Sequence, residues 1–440
     1  MGLTLAEKLL ARHAGLPTTR AGDLVVANVS FAMVHDARAP NAIRMVEKMG
    51  AKSLPFANKT AWVLDHFSPP PTVEAAQGHT AMRKFADEHG SVLYDIGDGI
   101  CHQVMPEGGH LTCGDLIVGT DTHSVTYGAF NAFGTGIEGT DVSAVMATGK
   151  VWLRVPESVR VTLKGRLQPG VWAKDVTLHM LGKFGAEGLN YRAIEYVGSA
   201  VQAMEIDDRM TLCNHAAELG AKAALLEADE KTFAWLKAHG AKAPAPLSAD
   251  ADAHYVDHFE IDASQLAPQV ARKHSVDDIV SAHEVVGQKI NFALIGTCTN
   301  GRLDDIRQAA AVLKGKTKAP NVRWAIVVPG SGLVKRQAEE QAKQEEDLAK
   351  AHSKESDEAK KAQAEADRLA EAQFRVAMQS ANAEEKVQLL QERLETLTPG
   401  TAKYAEILYQ EHMNGAQVME GEIRDLYVDA MTVTDAPVIQ

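Results

Sequence analysis

Residues 288–330 read "QKINFALIGTCTNGRLDDIRQAAAVLKGKTKAPNVRWAIVVPG", and this stretch decides the fold class. An apolar run ends at Gly-Thr-Cys, a helix-like stretch follows from residue 303, and "NVRWAIVVPG" forms a second apolar run. Two such runs around a helix are typical of a strand–helix–strand unit in a parallel sheet. Cys298 then lies at the carboxyl end of a parallel strand, where open α/β sheets bind their ligands.

The same alternation of helices and strands fills the rest of the chain before this stretch. Residues 1–150 combine the predicted helix "RAPNAIRMVEKMG" with the predicted strands "SVLYDIG" and "DLIVGTDTHS". Residues 151–285 open with the alternating strand "SVRVTLKGRL" and include "RAIEYVG" and the predicted helix "LCNHAAELGAKAALL". Residues 286–337 form a third and shorter unit around Cys298. The pattern therefore predicts successive α/β domains.

The composition changes after residue 337. Residues 338–440 contain a long stretch rich in Ala, Glu, Lys and Gln, with many Glu/Lys pairs at helical spacing. Such residues have high helix propensity, and their pairs support a solvated helix. We therefore expect a charged, mainly helical C-terminal region, to which the sequence assigns no role.

Overall composition excludes several classes of function. The chain has 440 residues, of which 45% are apolar, and its formal net charge is −13. This charge argues against a surface for nucleic acid or anionic membranes. No apolar run approaches the roughly 18–20 residues that span a bilayer, and the first residues lack a signal-peptide pattern. We expect a cytoplasmic protein whose four cysteines are free thiols, metal ligands or nucleophiles.

Three histidine-bearing segments occur where apolar strands give way to turns. They are "VLDHF", with Asp65 and His66, "GICHQVMPEGG", with His102, and "GTDTHS", with Asp121 and His123. A carboxylate beside a histidine fixes its tautomer and raises its basicity, which suits proton transfer near neutral pH. A single histidine of this kind more often bonds to nearby backbone, but three at strand ends favour a catalytic site.

Two other motif readings are weaker. "GTGIEG", with Gly134, Gly136 and Gly139, matches the dinucleotide fingerprint, but the preceding strand is not directly adjacent in the predicted pattern. A zinc-like quartet also occurs, in which the adjacent Cys-His pair suits tetrahedral zinc poorly. The quartet consists of Cys101, His102, His110 and Cys113. Cys213 lies on an apparent helix and is most simply a small buried hydrophobe.

Together these segments resemble the large subunit of the aconitase-like hydro-lyases, most closely the 3-isopropylmalate dehydratase and homoaconitase branch. The resemblance covers residues 1 to about 340. It rests on "LDHFSPPPT", "GICHQVMPEGG", "GDLIVGTDTHSVTYGAFNAFGTGIEGTDV", "RMTLCNHAAELGA" and "IGTCTNGR". It implies three-layer α/β/α domains of the aconitase type, with the third domain incomplete, followed by the mainly helical tail.

The resemblance also implies a set of site residues. Members of this family hold a four-iron four-sulfur cluster on three cysteines, and Cys298 corresponds to the first of these ligands. The expected catalytic residues are Asp65, His66, His102, Asp121, His123 and Glu195. The expected substrate-binding residues are Asn41, Thr122, Asn300 and Arg302. An open iron of the cluster would act as a Lewis acid on the leaving hydroxide.

One departure from the family pattern affects the mechanism. The other two cluster cysteines of the family lie in a Cys-x-x-Cys motif downstream of the first ligand. This sequence contains no cysteine after Cys298. Since one thiolate cannot hold a cluster that needs three, we expect an incomplete ligand set.

The resemblance leaves two functional hypotheses. The first is a hydro-lyase large subunit that dehydrates and rehydrates a hydroxy dicarboxylic or tricarboxylic acid, most closely 3-isopropylmalate in leucine biosynthesis. It would require a separate small subunit, the swivel domain that carries the family's serine base. The alternative is a non-catalytic, truncated or chimeric member that cannot assemble the cluster and serves as an interaction scaffold.

Overall fold

A computed structural model describes residues 2–381 and 383–397, together with residues 401, 403–404, 406–407 and 410. The chain divides into two compact units, Met1–Gln341 and Ala342–Gln440. Among the described residues, no helix is both long enough and apolar enough to cross a membrane.

The first α/β domain is built on a parallel sheet. Its elements are α1 (Leu5–Ala14), β1 (Leu24–Asn28), β2 (Phe31–His35), α2 (Ala39–Met49), β3 (Thr60–Val63), α3 (Val73–His89), β4 (Val92–Tyr94), α4 (Cys101–Glu107), β5 (Leu116–Gly119), β6 (Phe133–Gly136), α5 (Gly139–Thr148) and β7 (Lys150–Arg154). Five strands form a parallel sheet in the order β4-β3-β2-β5-β6, and β1 pairs with β7 as an antiparallel ribbon. All carboxyl ends of the five strands therefore meet at one edge.

Local sequence signals set the ends of several of these helices. Thr4 caps α1, with Glu7 completing a capping box. Gly15 follows α1 at a φ of 66°, and Gly50 follows α2 at a φ of 61°. This left-handed conformation costs glycine least, which is why both helices stop there.

The second α/β domain has its own parallel sheet. Its elements are β8 (Ser158–Lys164), α6 (Ala173–Phe184), β9 (Ala193–Val197), α7 (Ser199–Ala203), α8 (Ile206–Asn214), β10 (Ala223–Leu226), α9 (Glu230–Ala238), β11 (Asp257–Asp262), β12 (Gln269–Ala271) and β13 (Ile279–Ser281). The sheet order is β10-β9-β8-β11 with all neighbours parallel, and β12 pairs with β13 in a separate antiparallel ribbon.

The prediction of one helix over residues 212–226 was wrong in its second half. The helix α8 ends at Asn214, a 3-10 turn covers His215–Leu219, and Gly220 takes a φ of 77°. Residues Ala223–Leu226 then form the fully buried strand β10 beside β9. Burial in the sheet outweighs the helix propensity of this Ala/Leu-rich run.

The two α/β domains share one hydrophobic core. The same buried cluster contains Met33 and Phe130 of the first domain and Val161 and Leu212 of the second. Asn131, in a left-handed conformation at a φ of 61°, adds a polar link, since its side chain donates to the carbonyl oxygens of residues 226 and 247. The domains are therefore fused rather than merely adjacent.

The third segment is small. It contains β14 (Phe292–Ile295), α10 (Leu303–Leu313), β15 (Trp324–Val327) and the beginning of α11 (Gly332–Ser380). The strands β14 and β15 pair in parallel, as the strand–helix–strand pattern predicts. Large apolar side chains stay exposed on this two-stranded sheet, including Phe292, Leu294 and Trp324. Parallel sheets are normally covered on both faces, so this one is unusually open.

The second unit is helical in its described part. It contains the remainder of α11 and α12 (Ala383–Glu395). Ion pairs at helical spacing, such as Lys350 with Glu346, lie along α11. The α/β fold class followed by a helical region is thus confirmed.

Candidate functional site

The site forms at the carboxyl edge of the first sheet. His35 ends β2, the pair Asp65–His66 follows β3, and Asp121 follows β5. His102 lies in the first turn of α4, which follows β4. Parallel strands place these residues at one edge although they are far apart in sequence, as the three histidine segments predicted.

Asp121 is the centre of the cluster. One of its carboxylate oxygens lies 2.9 Å from His102 Nε2 and 3.3 Å from His123 Nδ1, and also accepts the backbone N–H of His123. The other oxygen lies 3.0 Å from His66 Nε2. Burial opposes ionisation of Asp121, but the surrounding histidines outweigh it and hold the pKa of this carboxyl far below its usual range.

His66 is bound between two carboxylates. Its Nδ1 lies 2.8 Å from Asp65, and its Nε2 faces Asp121. Burial disfavours the charged ring, but the hydrogen bonds to Asp121 and Asp65 raise the pKa of His66 to about 10. The His66 side chain is 38% exposed, compared with 1% for His102, so it is the imidazole most open to solvent in this cluster.

His123 has a second carboxylate partner that the sequence interpretation missed. Its Nε2 lies 3.2 Å from Glu218, in the 3-10 turn after α8. Burial lowers the pKa of His123, but Asp121 and Glu218 outweigh this and raise it to about 10. The only signal for Glu218 in the sequence was its place in "RMTLCNHAAELGA", where a carboxylate precedes the turn at Gly220.

Glu195, the expected catalytic carboxylate of β9, is held elsewhere. Its Oε1 accepts the backbone N–H of Ala6, and its Oε2 accepts the hydroxyl of Tyr255 at 2.7 Å. None of the hydrogen bonds of the described residues joins Glu195 to the Asp121 cluster. The structure therefore places Glu218, and not Glu195, in contact with a histidine of the cluster.

Cys298 lies in the loop after β14, with its side chain partly buried. A thiolate at Cys298 would raise the pKa of His123, of Cys101 and of Lys174, so the sulfur lies within electrostatic range of these groups. Arg302 is 2% exposed and donates to the carbonyl oxygens of Thr299 and Cys298. The loop is thus fixed from within.

The expected substrate-binding residues have different surroundings. Asn300 donates to Asp305, so Asn300 and Arg302 both hold the Cys298 loop. Thr122 is exposed and lines a cavity of about 440 Å³ together with Asp121. Asn41 lies in α2, where its Oδ1 accepts from Arg44.

The glycine-rich stretch "GTGIEG" borders this cavity. Gly134 and Gly136 belong to β6 and Gly139 begins α5, so the strand is directly adjacent, contrary to the sequence-based expectation. Glu138 and Asp141 place carboxylates at the start of α5. Negative charge there opposes a pyrophosphate, which binds helix N-termini through their positive dipole.

Comparison with known proteins identifies the family. The model described as "Aconitase family (aconitate hydratase)" matches residues 7–289 and 281–382. A protein of Methanopyrus kandleri named "3-isopropylmalate dehydratase large subunit 1" is 47% identical over 332 residues, which cover 75% of this chain and 79% of that protein. The chain belongs to the aconitase family.

Further members of the family agree with this assignment. A "Probable 3-isopropylmalate dehydratase large subunit" of Methanothermobacter thermautotrophicus is 42% identical over 339 residues, covering 77% of this chain and 81% of that protein. A "3-isopropylmalate dehydratase large subunit" of a Sulfurihydrogenibium species is 41% identical over 340 residues, covering 77% and 79%. The second range of the family match extends to residue 382, beyond the point near 340 where the motifs end.

Membership in the aconitase family implies a four-iron four-sulfur cluster, and the thiols of this chain test that implication. Cys298 is partly buried beside the histidines, whereas Cys101, Cys113 and Cys213 are buried. Burial, reinforced by the charges of Asp65 and Asp121, raises the pKa of Cys101 well above its usual range. Burial likewise raises the pKa of Cys113 to about 12. Among the described residues, neither group of potential ligand atoms that lie within 4.8 Å of one another contains more than one cysteine, so these thiols do not fit a cluster that is held by three of them.

The cysteine, histidine and carboxylate side chains that could together hold a metal ion at the site are already hydrogen-bonded to other protein groups. Potential ligand atoms of Cys101, His102 and Asp121 lie within 4.8 Å of one another. His102 Nε2 and Asp121 are hydrogen-bonded to each other at 2.9 Å, however, and His66 and His123 also contact Asp121. His110, of the zinc-like quartet, contacts Tyr94 at 2.8 Å instead. The arrangement is therefore a hydrogen-bond network centred on Asp121.

The buried carboxyl of Glu195 leads to a prediction about how the free energy of unfolding depends on pH. Burial raises the pKa of this carboxyl from its ordinary value of 4.5 to about 7, against the hydrogen bonds from Tyr255 and α1. The folded state therefore keeps the proton where the unfolded state loses it, and the free energy of unfolding falls as pH rises from 4.5 to about 7. The shift corresponds to a loss of about 3 kcal/mol.

The Glu195→Gln variant checks this by urea unfolding at a series of pH values. We expect the fall between pH 4.5 and 7 to be smaller in the variant than in the unchanged protein. Glu187→Gln, at an exposed carboxylate of the same domain, is the control and should follow the unchanged protein. Parallel curves for the Glu195 variant and the unchanged protein would contradict the prediction.

Proposed function

We propose that this chain is the large subunit of a hydro-lyase that dehydrates and rehydrates a hydroxy dicarboxylic acid, with 3-isopropylmalate as the substrate. The observation that carries the proposal is the contact of Asp121 with three histidines at the carboxyl edge of the sheet. The family membership and the names of the relatives support a hydro-lyase.

The cluster suits two tasks in such a reaction. His66 and His123 have pKa values of about 10, so both rings are cationic at neutral pH and offset the charges of neighbouring carboxylates where a diacid approaches. Loss of a hydroxyl group as water requires that the oxygen receive a proton. His66 is the most exposed of the three rings and can supply that proton when its Nε2–H turns from Asp121 to the leaving oxygen, which leaves the ring neutral.

The reaction also needs a base that removes a proton from carbon. A ring with a pKa near 10 is already protonated and cannot serve as that base at neutral pH. We propose that a separate small subunit supplies the base, in agreement with the large-subunit names of the relatives.

The thiols favour a second candidate function. Only Cys298, of the four described thiols, is partly exposed at the site, and the set does not fit a three-thiolate cluster. We therefore propose as the alternative that the chain retains the acid-binding half of the site without turnover.

One experiment separates the two candidates. The purified chain is reconstituted anaerobically with iron and sulfide, its iron is counted, and its visible absorption is recorded. Binding of 3-isopropylmalate is measured by calorimetry, and turnover is measured with a matching small subunit. We expect binding of 3-isopropylmalate under either candidate. Binding without a full cluster and without turnover would support the second candidate. About four irons per chain with turnover would establish the first, and absence of binding would contradict both.

A further inference from the structure

Two adjacent residues, His35 at the end of β2 and Asp36 directly after it, contact the two chain segments that carry Asp121 and His66. His35 is buried, and its backbone N–H and its ring Nε2 each lie 3.1 Å from Thr120, at the hydroxyl and the carbonyl oxygen respectively. Thr120 immediately precedes Asp121. The next residue after His35, Asp36, faces the loop that carries His66.

The Asp36 side chain is fully buried and accepts three hydrogen bonds. Its Oδ1 accepts the backbone N–H of His66 at 3.0 Å, and its Oδ2 accepts the backbone N–H of Phe67 at 2.9 Å. His79 Nε2 lies 3.0 Å from the same Oδ2. Bonds to an ionised acceptor are stronger than neutral ones. A carboxylate that holds two successive amides therefore fixes the direction of the backbone at His66.

His79 belongs to α3 and is 2% exposed. Its Nδ1 is buried and has no hydrogen-bond partner among the described residues. The ring therefore makes its polar contact through Nε2, with Asp36. Burying a polar side chain with an unpaired nitrogen costs free energy, so an apolar side chain would suit this position better if it only filled space. The contact of His79 is therefore suited to orienting the Asp36 carboxylate.

We propose that Asp36, oriented by His79, is a positioning residue that holds His66 in place between Asp65 and Asp121. The importance of that placement for catalysis rests on the proposed function. The positioning itself is a property of the unliganded chain and can be tested without substrate.

The geometry leaves little tolerance at His66. Its two ring nitrogens lie 2.8 Å and 3.0 Å from Asp65 and Asp121, and its ring stacks on His35 at a centroid distance of 4.1 Å. Hydrogen bonds weaken steeply with stretching and misalignment. A shift of the backbone at His66 by about an ångström would therefore break both ring contacts at once.

Asp36→Ala tests the proposal through two readouts. The first readout is the pKa of His66, which NMR titration measures; burial lowers it in the unchanged protein, but Asp121 and Asp65 outweigh burial and raise it to about 10. We expect it to fall by about 1–3 units in the variant, as it would for the loss of an opposite charge at contact distance. We also expect faster hydrogen exchange at the amides of His66 and Phe67. The pKa of His123 should stay high, since its partners Asp121 and Glu218 remain in place.

The matched control is Asp115→Ala. Asp115 likewise accepts the backbone N–H of a loop residue in the same domain, from Thr112 at 2.9 Å, but forms no ion pair with a histidine among the described residues. We expect this variant to leave the pKa of His66 unchanged. A fall as large as that of Asp36→Ala would show a general loss of structure and would overturn the positioning role.

Asp36→Asn separates positioning from charge, because Asp36 also lies 3.9 Å from His66 Nδ1. The amide keeps one oxygen for the His66 N–H but removes the charge. We expect it to restore most of the amide protection and of the His66 pKa relative to Asp36→Ala. Equal effects of the two variants would mean that only charge matters, which would overturn the proposal.

His79→Leu provides a test that leaves Asp36 in place, should Asp36→Ala fail to fold. We expect a fall of the His66 pKa that is smaller than that of Asp36→Ala but measurable, together with faster exchange at Phe67. A folded His79 variant with unchanged pKa and unchanged exchange would contradict the orienting role. Failure of the chain to bind 3-isopropylmalate would contradict the proposed function alone, because none of these readouts involves substrate.

Discussion

Asp121→Asn is expected to lower the pKa values of His66 and His123 by about 1–3 units from their values near 10. The amide keeps the shape of the side chain but removes the charge that both rings face. His102, the third partner, would lose its charged acceptor as well. NMR titration of the histidine ring protons measures these changes, and binding of 3-isopropylmalate should weaken in parallel.

The same variant changes the dependence of stability on pH. The two rings titrate near 10 when folded and near 6.5 when unfolded. Their contribution is therefore fully present below pH 6.5 and is lost as pH rises towards 10. We expect the free energy of unfolding of Asp121→Asn to change less between pH 6.5 and 10 than that of the unchanged protein. Asp87→Asn, at an exposed position of α3, is the control. Unaltered ring pKa values in Asp121→Asn would contradict the assigned role of Asp121.

The largest loss of stability is expected from Asp229→Ala. Arg209 is 1% exposed, and its guanidinium makes two hydrogen bonds to Asp229, at 2.9 Å and 2.5 Å. Removing the carboxylate leaves a buried cation without its charged partner, which costs about 3–5 kcal/mol. Urea unfolding measures this as a lower midpoint and a smaller free energy of unfolding.

The reverse deletion should be milder. Asp229 keeps 39% of its side chain exposed, so after Arg209→Met its charge remains hydrated. Methionine also fills the buried volume that the arginine stem occupied. We expect a loss of about 1–2 kcal/mol, clearly below that of Asp229→Ala. Equal losses for the two variants would show that the buried position of the arginine charge is not what matters.

Short-range patterns in the sequence predicted much of the first sheet and the placement of its histidines. The alternation of strands and turns located Asp65, His66 and Asp121 at strand ends, because each signal lies within a few residues of the group concerned. Strand β10 was missed because its Ala/Leu-rich run has no local preference for extended structure and is made a strand by the partner β9.

Local sequence could not show which carboxylate, Glu195 or Glu218, contacts His123. Glu195 and Glu218 are both close to motif residues, and each is plausible in isolation. Which of them meets His123 depends on how the two α/β domains pack, since Glu195 contacts α1 and Tyr255 while Glu218 contacts the ring. That information is long-range and appears only with the fold.

The common core of the two α/β domains limits how this chain can be recombined. Residues from both sides of position 150 belong to one buried cluster, so a junction there would expose apolar surface on both products. The junction between the two compact units, after Gln341, does not divide that cluster. We therefore expect replacement of sequence to be tolerated best beyond residue 341 and the two α/β domains to fold as a single unit.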